Sequence, residues 1–290
     1  MKTVLIVLNY NDYETTELLL NNAIKIEKIE QIIVVDNCST DNSYEKLKKR
    51  ENSKIDVIRT SDNGGYSSGN NFGIRYAIKH YSPKYLLIAN PDVKLNEQCV
   101  GGILDFYEEM DHERIGIVTC KTSEEKIYPA WKLPKYRDCI WENLILLRKL
   151  LHIKDSAYDE KKLLKQEYSQ VDVISGAFFA IAADVMLDVG MFDEDTFLFY
   201  EENILGFRLK EKQYKNYVLN KYEYVHNHSV SIQKNIKSIG KKMDLGFESR
   251  SLYLDKYLRV GKIRKLFHAC TYRLGKFNYL LTKNIVNKMR

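Results

Sequence analysis

The chain has 290 residues, of which 44% are hydrophobic and 29% are charged, and its formal net charge is +6. This composition is that of an ordinary globular protein rather than a disordered chain, and no apolar run approaches the roughly 18 residues that a membrane-spanning helix needs. The five cysteines are scattered and form no CxxC pair, which argues against a zinc ribbon or a disulfide framework and predicts a reducing compartment.

The first 119 residues alternate short apolar runs with amphipathic stretches. The first run turns polar without a small-residue cleavage site, so it predicts a strand rather than a signal peptide. The predicted strands are residues 3–8, 31–36, 54–60, 85–90 and 114–119, and the predicted helices are residues 13–27, 40–50, 69–81 and 97–110. Strands that are apolar on both faces and alternate with helices indicate an α/β fold. We therefore expect a Rossmann-like, mostly parallel central sheet with helices on both faces.

Polar residues end three of the predicted strands. Asn9 ends the first strand, Asp36 ends the second, and Asn90-Pro91-Asp92 follows the fourth. Ligands of such sheets bind outside the carboxyl ends of the strands, so these side chains are expected to face a ligand crevice. A carboxylate at position 36 could accept hydrogen bonds from a ribose or a base. Taken alone, an Asn-Pro-Asp sequence is equally a good turn former.

A glycine-rich stretch, DNGGYSSGNNFG, occupies residues 62–73 between a predicted strand and a predicted helix. Glycine and serine at this density let backbone N–H groups approach a ligand, and the N-terminus of the following helix favours an anion. The stretch is neither a G-x-G-x-x-G motif nor a Walker loop. Taken alone, it is as compatible with a surface turn as with a ligand-binding loop.

The middle of the chain departs from the regular alternation. Residues 120–170 are rich in Trp, Leu and basic side chains, and we interpret them as an insertion with an amphipathic helix near residues 138–152. A compact pattern then resumes, with adjacent carboxylates at Glu201 and Glu202 before a predicted helix. An acidic helix N-terminus, or an ion pair with Arg208, would explain this pair without any catalytic role.

Eight short motifs follow one another along the chain: NYN (9–11), VVDNCSTDNS (34–43), NGGYSSGNNFG (63–73), NPDV (90–93), SGAFFAI (175–181), GMFDE (190–194), FYEENILGFRL (199–209) and VHNHSVS (225–231). In this order they resemble the family-2 glycosyltransferases of the GT-A fold, specifically the rhamnosyltransferase-like branch that builds bacterial surface polysaccharides. The resemblance spans residues 1 to about 232. It implies a GT-A domain over residues 1–235, with the insertion at about 120–170, and a basic helical C-terminal extension over residues 236–290.

The resemblance implies a binding site for a nucleoside-diphosphate sugar. In this family the ends of the first two strands hold the nucleotide, and the glycine-rich stretch closes over it. The corresponding positions of this chain are Leu8, Asn9, Tyr10, Asp36, Asn63, Gly64, Gly65, Asn70 and Asn90.

The resemblance also implies a divalent cation on the donor diphosphate, either Mg²⁺ or Mn²⁺. The family's D-x-D motif appears here as N-P-D, so Asn90 replaces the first acid and Asp92 is the sole carboxylate. Such cations commonly take one or two carboxylates plus phosphates and water, which predicts a metal that arrives with the donor. His226 would complete the coordination, with His228 as the alternative, and imidazole suits Mn²⁺ better than Mg²⁺.

The acidic pair corresponds to the family's E-D motif, whose second acid is the general base. This implies that Glu202 is the base and Glu201 its neighbour, in an inverting displacement that moves a sugar from dTDP-rhamnose or a UDP-hexose to a saccharide or polyprenyl-linked acceptor. Glu replaces Asp in the motif, and Ile204 stands where many relatives carry an acid. These departures leave open a catalytically inactive sugar-nucleotide-binding or scaffold protein. A nucleotidyltransferase is disfavoured because no Gly-rich loop with Arg or Lys follows the first strand.

The C-terminal tail concentrates positive charge, with eleven Lys or Arg and one acid, Asp255, in residues 250–290. Its apolar residues recur at helical spacing at Ile263, Leu266, Phe267, Cys270, Leu274 and Phe277. A basic amphipathic helix of this kind predicts contact with an anionic membrane surface, and thus a cytoplasmic protein that is peripheral at the inner face of the cell membrane. The alternative is a helix packed on the catalytic domain with a solvated basic face. No nucleic-acid-binding module is recognised in the tail, so no nucleic acid partner is expected.

Overall fold

A computed structural model describes residues 2–123, 128–153, 156–227 and 238–288, with side-chain environments in the last helix given as far as residue 283. The predicted α/β architecture is confirmed: within the described residues a nine-stranded sheet carries helices on both faces. No helix of the described part is long and apolar enough to cross a membrane.

The N-terminal half of the sheet is parallel, as the sequence predicts. Its strands lie in the order β3-β2-β1-β4, and each pair of neighbours runs parallel. Their bounds are β1 (Thr3–Asn9), β2 (Gln31–Asp36), β3 (Ile55–Arg59) and β4 (Tyr85–Ala89). The carboxyl ends of β1, β2 and β4 therefore meet at one edge of the sheet.

The second half of the sheet mixes strand directions. Its strands are β5 (Val93–Lys94), β6 (Ile115–Thr122), β8 (Tyr168–Val171), β10 (Phe178–Ala182) and β11 (Lys215–His226), while β7 (Ala130–Trp131) and β9 (Val173–Ile174) form a separate pair. Strand β10 lies between β4 and β6 and is antiparallel to both. The predicted strand at 114–119 is therefore present but is not the neighbour of the strand at 85–90.

The helices cover the sheet in two layers because side chains alternate in direction along each strand. Leu5, Val7, Ile32 and Val34 pack with α1 and α4 on one face, and Val4, Ile6, Ile33 and Val35 pack with α3, α8 and α9 on the other. The helices are α1 (Tyr13–Ala23), α2 (Ser43–Lys48), α3 (Gly65–Tyr81), α4 (Glu97–Glu109), α5 (Tyr136–Asn143), α6 (Ile145–Leu150), α7 (Glu160–Leu163), α8 (Ala183–Asp188), α9 (Glu201–Glu211), α10 (Ile239–Leu252) and α11 (Lys262–Lys288), with a π-helical turn at Tyr253–Tyr257.

The insertion differs from the single helix predicted near residues 138–152. Helices α5 and α6 are separated at Leu144, whose backbone leaves the helical region. The side chain of Asn143 donates hydrogen bonds to the His268 carbonyl oxygen at 3.0 Å and to Thr271 Oγ1 at 3.1 Å. The end of α5 is thus held by α11, a long-range contact that helical periodicity does not report.

Gly275 provides a test of how α11 docks on α5. A Cβ at this position would overlap the carbonyl oxygen of Asn143, which is backbone and cannot rotate away. Replacing a helical Gly with Ala ordinarily stabilises by about 0.5–1 kcal/mol, but overpacking of this kind costs about 1–3 kcal/mol. We expect Gly275→Ala to lower the thermal midpoint by about 2–6 °C and to speed tryptic cleavage within α11.

Gly261→Ala is the matched control, because no heavy atom lies within 4 Å of a Cβ at that position. If Gly275→Ala matched or exceeded this control in thermal midpoint and trypsin resistance, the close packing of α11 on α5 would be wrong.

Candidate active site

A cleft of about 720 Å³ opens at the edge of the sheet where β1, β2 and β4 end. Many of the predicted site residues line it: Leu8, Tyr10, Asn63, Gly65, Asn90, Asp92, Glu201, Glu202 and His226. The crevice expected from the strand ends is therefore present. It brings the predicted metal ligands and the acidic pair to one cavity.

Asn9 and Asp36 lie beneath the wall of the cleft rather than on it. Both are fully buried, and the Asn9 amide donates a 2.9 Å hydrogen bond to the Asp36 carboxylate. The second carboxylate oxygen accepts from the Ser39 backbone N–H at 3.0 Å and lies 3.4 Å from the Arg59 guanidinium. In this arrangement Asp36 fixes the loop after β2, and its contact with a nucleotide stays a prediction.

Asn37 is a cleft residue that the sequence analysis did not single out. Its amide donates to the Asn63 side chain at 2.9 Å and to the Gly65 carbonyl oxygen at 3.0 Å. This side chain connects the loop after β2 to the glycine-rich stretch. Its position directly after the strand-terminal Asp36 is the signal that could have identified it.

The glycine-rich stretch forms the start of α3. Gly65 has a positive φ of 85°, and a Cβ there would overlap the backbone of Phe197 in the loop before α9. The Tyr66 N–H donates to the Phe197 carbonyl oxygen at 2.9 Å, so this Gly is needed for the close approach. Gly64 and Asn70 do not line the cleft, and the Asn70 amide donates to the Tyr66 carbonyl oxygen within the helix.

Asp92 and His226 are brought together by the short pairing of β5 with β11. Val93 lies opposite His226 in this antiparallel pair, and Val93 itself is buried. The N–H of Asn227 donates to the Asp92 carbonyl oxygen at 2.9 Å. As a result Asp92 Oδ1 lies 3.5 Å from His226 Nε2. The alternative ligand, His228, lies outside the described residues.

The Asp92–His226 pair fits one divalent cation. Two ligands in adjacent positions at about 2.1 Å from a cation are about 3 Å apart, which is close to the observed separation of 3.5 Å. Within the described ranges no group of three or more His, Cys, Asp or Glu side chains could hold a metal by itself. A cation bound by this pair would therefore take its remaining ligands from phosphate oxygens and water.

The acidic pair follows a strained stretch of backbone. Phe199 and Tyr200 have positive φ values of 71° and 69°, a conformation that costs non-glycine residues free energy and concentrates at functional sites. Helix α10 holds this stretch, because Ser249 donates a 2.9 Å hydrogen bond to the Leu198 carbonyl oxygen. The Tyr200 hydroxyl donates to Glu142 of the insertion at 2.8 Å. Residues distant in sequence thus set the start of α9.

The two carboxylates occupy different environments. Glu202 is half-buried, and its Oε1 accepts a hydrogen bond from the Gly176 N–H at 3.1 Å. Glu201 is only 5% exposed, and its Oε2 has no hydrogen-bond partner among the described residues. Burial raises the pKa of both groups, and the charge of Glu202 raises the pKa of Glu201 further. A raised pKa suits a carboxylate that takes up a proton near neutral pH.

The C-terminal extension contributes part of the cleft wall, which the sequence analysis did not predict. Lys241, Lys242 and Arg250 of α10 line the cleft, as does Glu142 of the insertion. Trp131 also lines it and donates its indole N–H to the Asn203 side chain at 2.8 Å. The adjacent lysines at 241 and 242 were the available signal in the sequence, but they precede residues 250–290, to which the charge argument was confined.

The sheet, the cleft and the acidic helix start together define a GT-A glycosyltransferase. The sequence pattern of glycosyl transferase family 2 matches residues 4–186, and the chain belongs to that family. The chain is 24% identical to the low-salt glycan biosynthesis hexosyltransferase Agl10 of Haloferax volcanii over 226 residues. The aligned region covers 78% of this chain and 67% of that protein.

Solved structures with the same fold include two that contain donor sugars. The mannosyltransferase PcManGT of Pyrobaculum calidifontis, in complex with GDP-Man and Mn²⁺, superposes with a TM-score of 0.59 at 14% identity, over 93% of this chain and 69% of that one. TarS of S. aureus (residues 1–349), in complex with UDP-GlcNAc, gives a TM-score of 0.57 at 15% identity, over 96% and 73% of the two chains. At sequence identities of 14% and 15%, this structural similarity establishes the fold alone.

The buried Glu201 carboxylate should cost stability in a pH-dependent way. Its raised pKa means that the folded protein binds a proton that the unfolded chain releases, so stability falls as pH rises from the ordinary glutamate pKa to the raised one. We expect Glu201→Gln to raise the thermal midpoint by about 2–6 °C at pH 8 and by less at pH 5. Thermal unfolding at the two pH values measures this difference.

Glu109→Gln serves as the control, because it removes an exposed carboxylate of α4 outside the cleft. A Glu201→Gln gain that is absent at pH 8, or larger at pH 5 than at pH 8, would contradict a raised pKa at this position.

Proposed function

We propose that the protein is an inverting hexosyltransferase that moves a sugar from a nucleoside-diphosphate donor to an acceptor hydroxyl. The observation that carries this proposal is the single cleft lined by both the Asp92–His226 pair and the Glu201–Glu202 pair. A divalent-cation site and a general base are the two parts that such a displacement requires. Membership of glycosyl transferase family 2 supports the same reaction class.

The proposed donor is dTDP-rhamnose or a UDP-hexose, as in the rhamnosyltransferase-like branch. The product is proposed to enter a cell-surface polysaccharide. The nucleotide would lie along the wall formed by Leu8, Tyr10, Asn63 and Gly65. Asn9, Asp36, Gly64 and Asn70 would support that wall from behind, and Asn90 would face the diphosphate. The related structures in complex with GDP-Man and UDP-GlcNAc support a nucleotide-sugar donor in general.

Asp92 and His226 would hold Mg²⁺ or Mn²⁺, which when bound neutralises the charge that develops on the departing diphosphate. Glu202 accepts the proton of the acceptor hydroxyl as that oxygen forms its bond to the anomeric carbon. The bond from the anomeric carbon to the diphosphate oxygen breaks, and the configuration inverts. The Gly176 N–H holds Glu202 Oε1, so the carboxylate is oriented before the acceptor arrives.

The alternative is a sugar-nucleotide-binding or scaffold protein of the same fold without activity, suggested by the missing acid at Ile204. Ile204 is fully buried, does not line the cleft and packs in an apolar cluster with Cys139 and Tyr253. An acid at this position would not add a group to the cleft of this protein. The placement of Ile204 therefore removes this argument for an inactive protein.

The acceptor is proposed to be a saccharide or a polyprenyl-linked glycan, reached from the cytoplasmic side of the membrane. The protein would then be peripheral at an anionic inner surface. The basic tail supports this location, because clustered cations attract anionic headgroups.

Removing the Asp92 carboxylate should uncouple donor binding from the metal. Asp92→Asn keeps the shape of the side chain but lacks the charge that a divalent cation requires. We expect Mn²⁺ to tighten donor binding to the wild-type protein and to have at least a tenfold smaller effect on the variant, as measured by calorimetry. Asp111→Asn, an exposed change outside the cleft, is the control. Equal donor affinity in Mn²⁺ and in excess chelator for the wild-type protein would rule out the metal role.

Replacing the general base should remove turnover while leaving donor binding intact. The assay measures release of nucleoside diphosphate in the presence of acceptor. The wild-type protein is first screened against a set of donors, and the variant is then assayed with the donor that is used. Glu202→Gln should lower kcat by about 10²–10⁴-fold, the usual contribution of a general base. A more severe loss in Glu201→Gln would move the role of base to Glu201. Donor binding without release for any donor and acceptor would favour the scaffold protein.

A further inference from the structure

Helix α11 presents its apolar stripe to solvent. The exposed fractions are 85% for Ile263, 67% for Leu266, 54% for Phe267, 55% for Leu274, 65% for Phe277 and 48% for Leu281. At about 100° of rotation per residue, all six fall within an arc of about 100° and so share one face of the helix. An amphipathic helix ordinarily buries such a face against its own domain, and α11 does the opposite.

Specific polar and aromatic contacts hold the opposite face of α11 against the domain. His268 and Tyr272 both stack on Phe247 of α10, with ring centroids 5.0 Å and 4.1 Å apart. Burial lowers the pKa of His268 to about 4, so this contact carries no charge at neutral pH. Lys276 pairs with Asp244 of α10 at 2.5 Å. Because these contacts fix the rotation of the helix, α11 cannot turn its apolar stripe inward without losing them.

Helix α6 of the insertion lies beside α11 and adds to this surface. Leu147 is 41% exposed and Leu150 is 73% exposed, and Leu151, directly after the helix, is 54% exposed. We use the term two-helix patch for these three leucines together with the six apolar residues of the α11 stripe. Exposed apolar side chains gathered on two neighbouring helices mark an interaction site.

The charges around the two-helix patch indicate its partner. Helices α6 and α11 contain no Asp or Glu, and the exposed cations Lys262 and Arg273 flank the stripe. A second copy of the chain docked through the same face would bring these cations against one another, since the contact would be self-complementary. An anionic lipid surface would instead pair them with phosphates and receive the apolar side chains below the headgroups.

We propose that the two-helix patch docks on an anionic bilayer, with α11 lying in the headgroup plane. Helix α10 connects this surface to the cleft, because it contacts α11 through Phe247 and lines the cleft with Lys241, Lys242 and Arg250. The docked enzyme would therefore hold its cleft close to the membrane. This inference names the surface that the proposed function requires for a lipid-linked acceptor, and its test does not depend on sugar transfer.

The experiment is sedimentation of the full chain with vesicles of mixed phosphatidylglycerol and phosphatidylcholine, and with vesicles of phosphatidylcholine alone. We expect binding to the anionic vesicles that weakens as salt is raised. Changing Leu274 and Phe277 to Ser should raise the lipid concentration needed for half-maximal binding at least tenfold. Both side chains are more than half exposed, so the fold should persist, which thermal unfolding would verify. Leu18→Ser in α1, 71% exposed outside the patch, is the matched control.

Three outcomes would overturn the proposal. One is a wild-type protein that stays in the supernatant with anionic vesicles at low salt, and another is a double variant that sediments as well as the wild-type protein. A concentration-dependent dimer that the double variant abolishes would assign the patch to a second copy instead. Nucleoside diphosphate release with a soluble acceptor should be unchanged in the double variant, so a failure of docking and a failure of the proposed activity give different results.

Discussion

The antiparallel pairing of β10 with β4 positions the chemistry of this protein. The N–H of Asn90 donates to the carbonyl oxygen of Ala177 at 2.8 Å, just past the end of β4. This pairing carries Gly176 to the same edge of the sheet as Asp92. The backbone N–H of Gly176 then holds Glu202, so one strand pair links the proposed metal ligand to the proposed base. A parallel strand in the place of β10 would begin at the opposite edge and could not make this link.

The start of α9 depends on parts of the chain that are remote in sequence. The left-handed conformations of Phe199 and Tyr200 persist because α10 and the insertion hold both sides of the stretch. Arg250 of α10 lies 3.4 Å from Glu142, which accepts the hydrogen bond of Tyr200. The C-terminal extension therefore contacts the residues that form the cleft, even though the sequence pattern separates it from the preceding domain.

Burial of two adjacent carboxylates carries an electrostatic cost. Burial removes most of the water around Glu201, and the neighbouring charge of Glu202 opposes its ionisation, so both raise the pKa of Glu201. If this pair supplies the proposed general base, stability and function conflict here, because the raised proton affinity that suits a base destabilises the ionised protein. Such conflicts are a common feature of active sites.

The sequence by itself determined the parallel half of the sheet, because each of its strands is a local apolar run and each connection is a local helix. It also determined which motifs supply residues to the cleft, since Asp92, Glu202 and His226 lie in short, recognisable stretches. Only the tertiary structure decided the place of β10, the break at Leu144, the contribution of α10 to the cleft and the outward rotation of α11. Periodicity gives the apolar face of a helix but not the direction in which it points. That direction was set here by the contacts of Asn143, which lies 125 residues before its partner His268, and of Phe247 and Asp244 in the preceding helix.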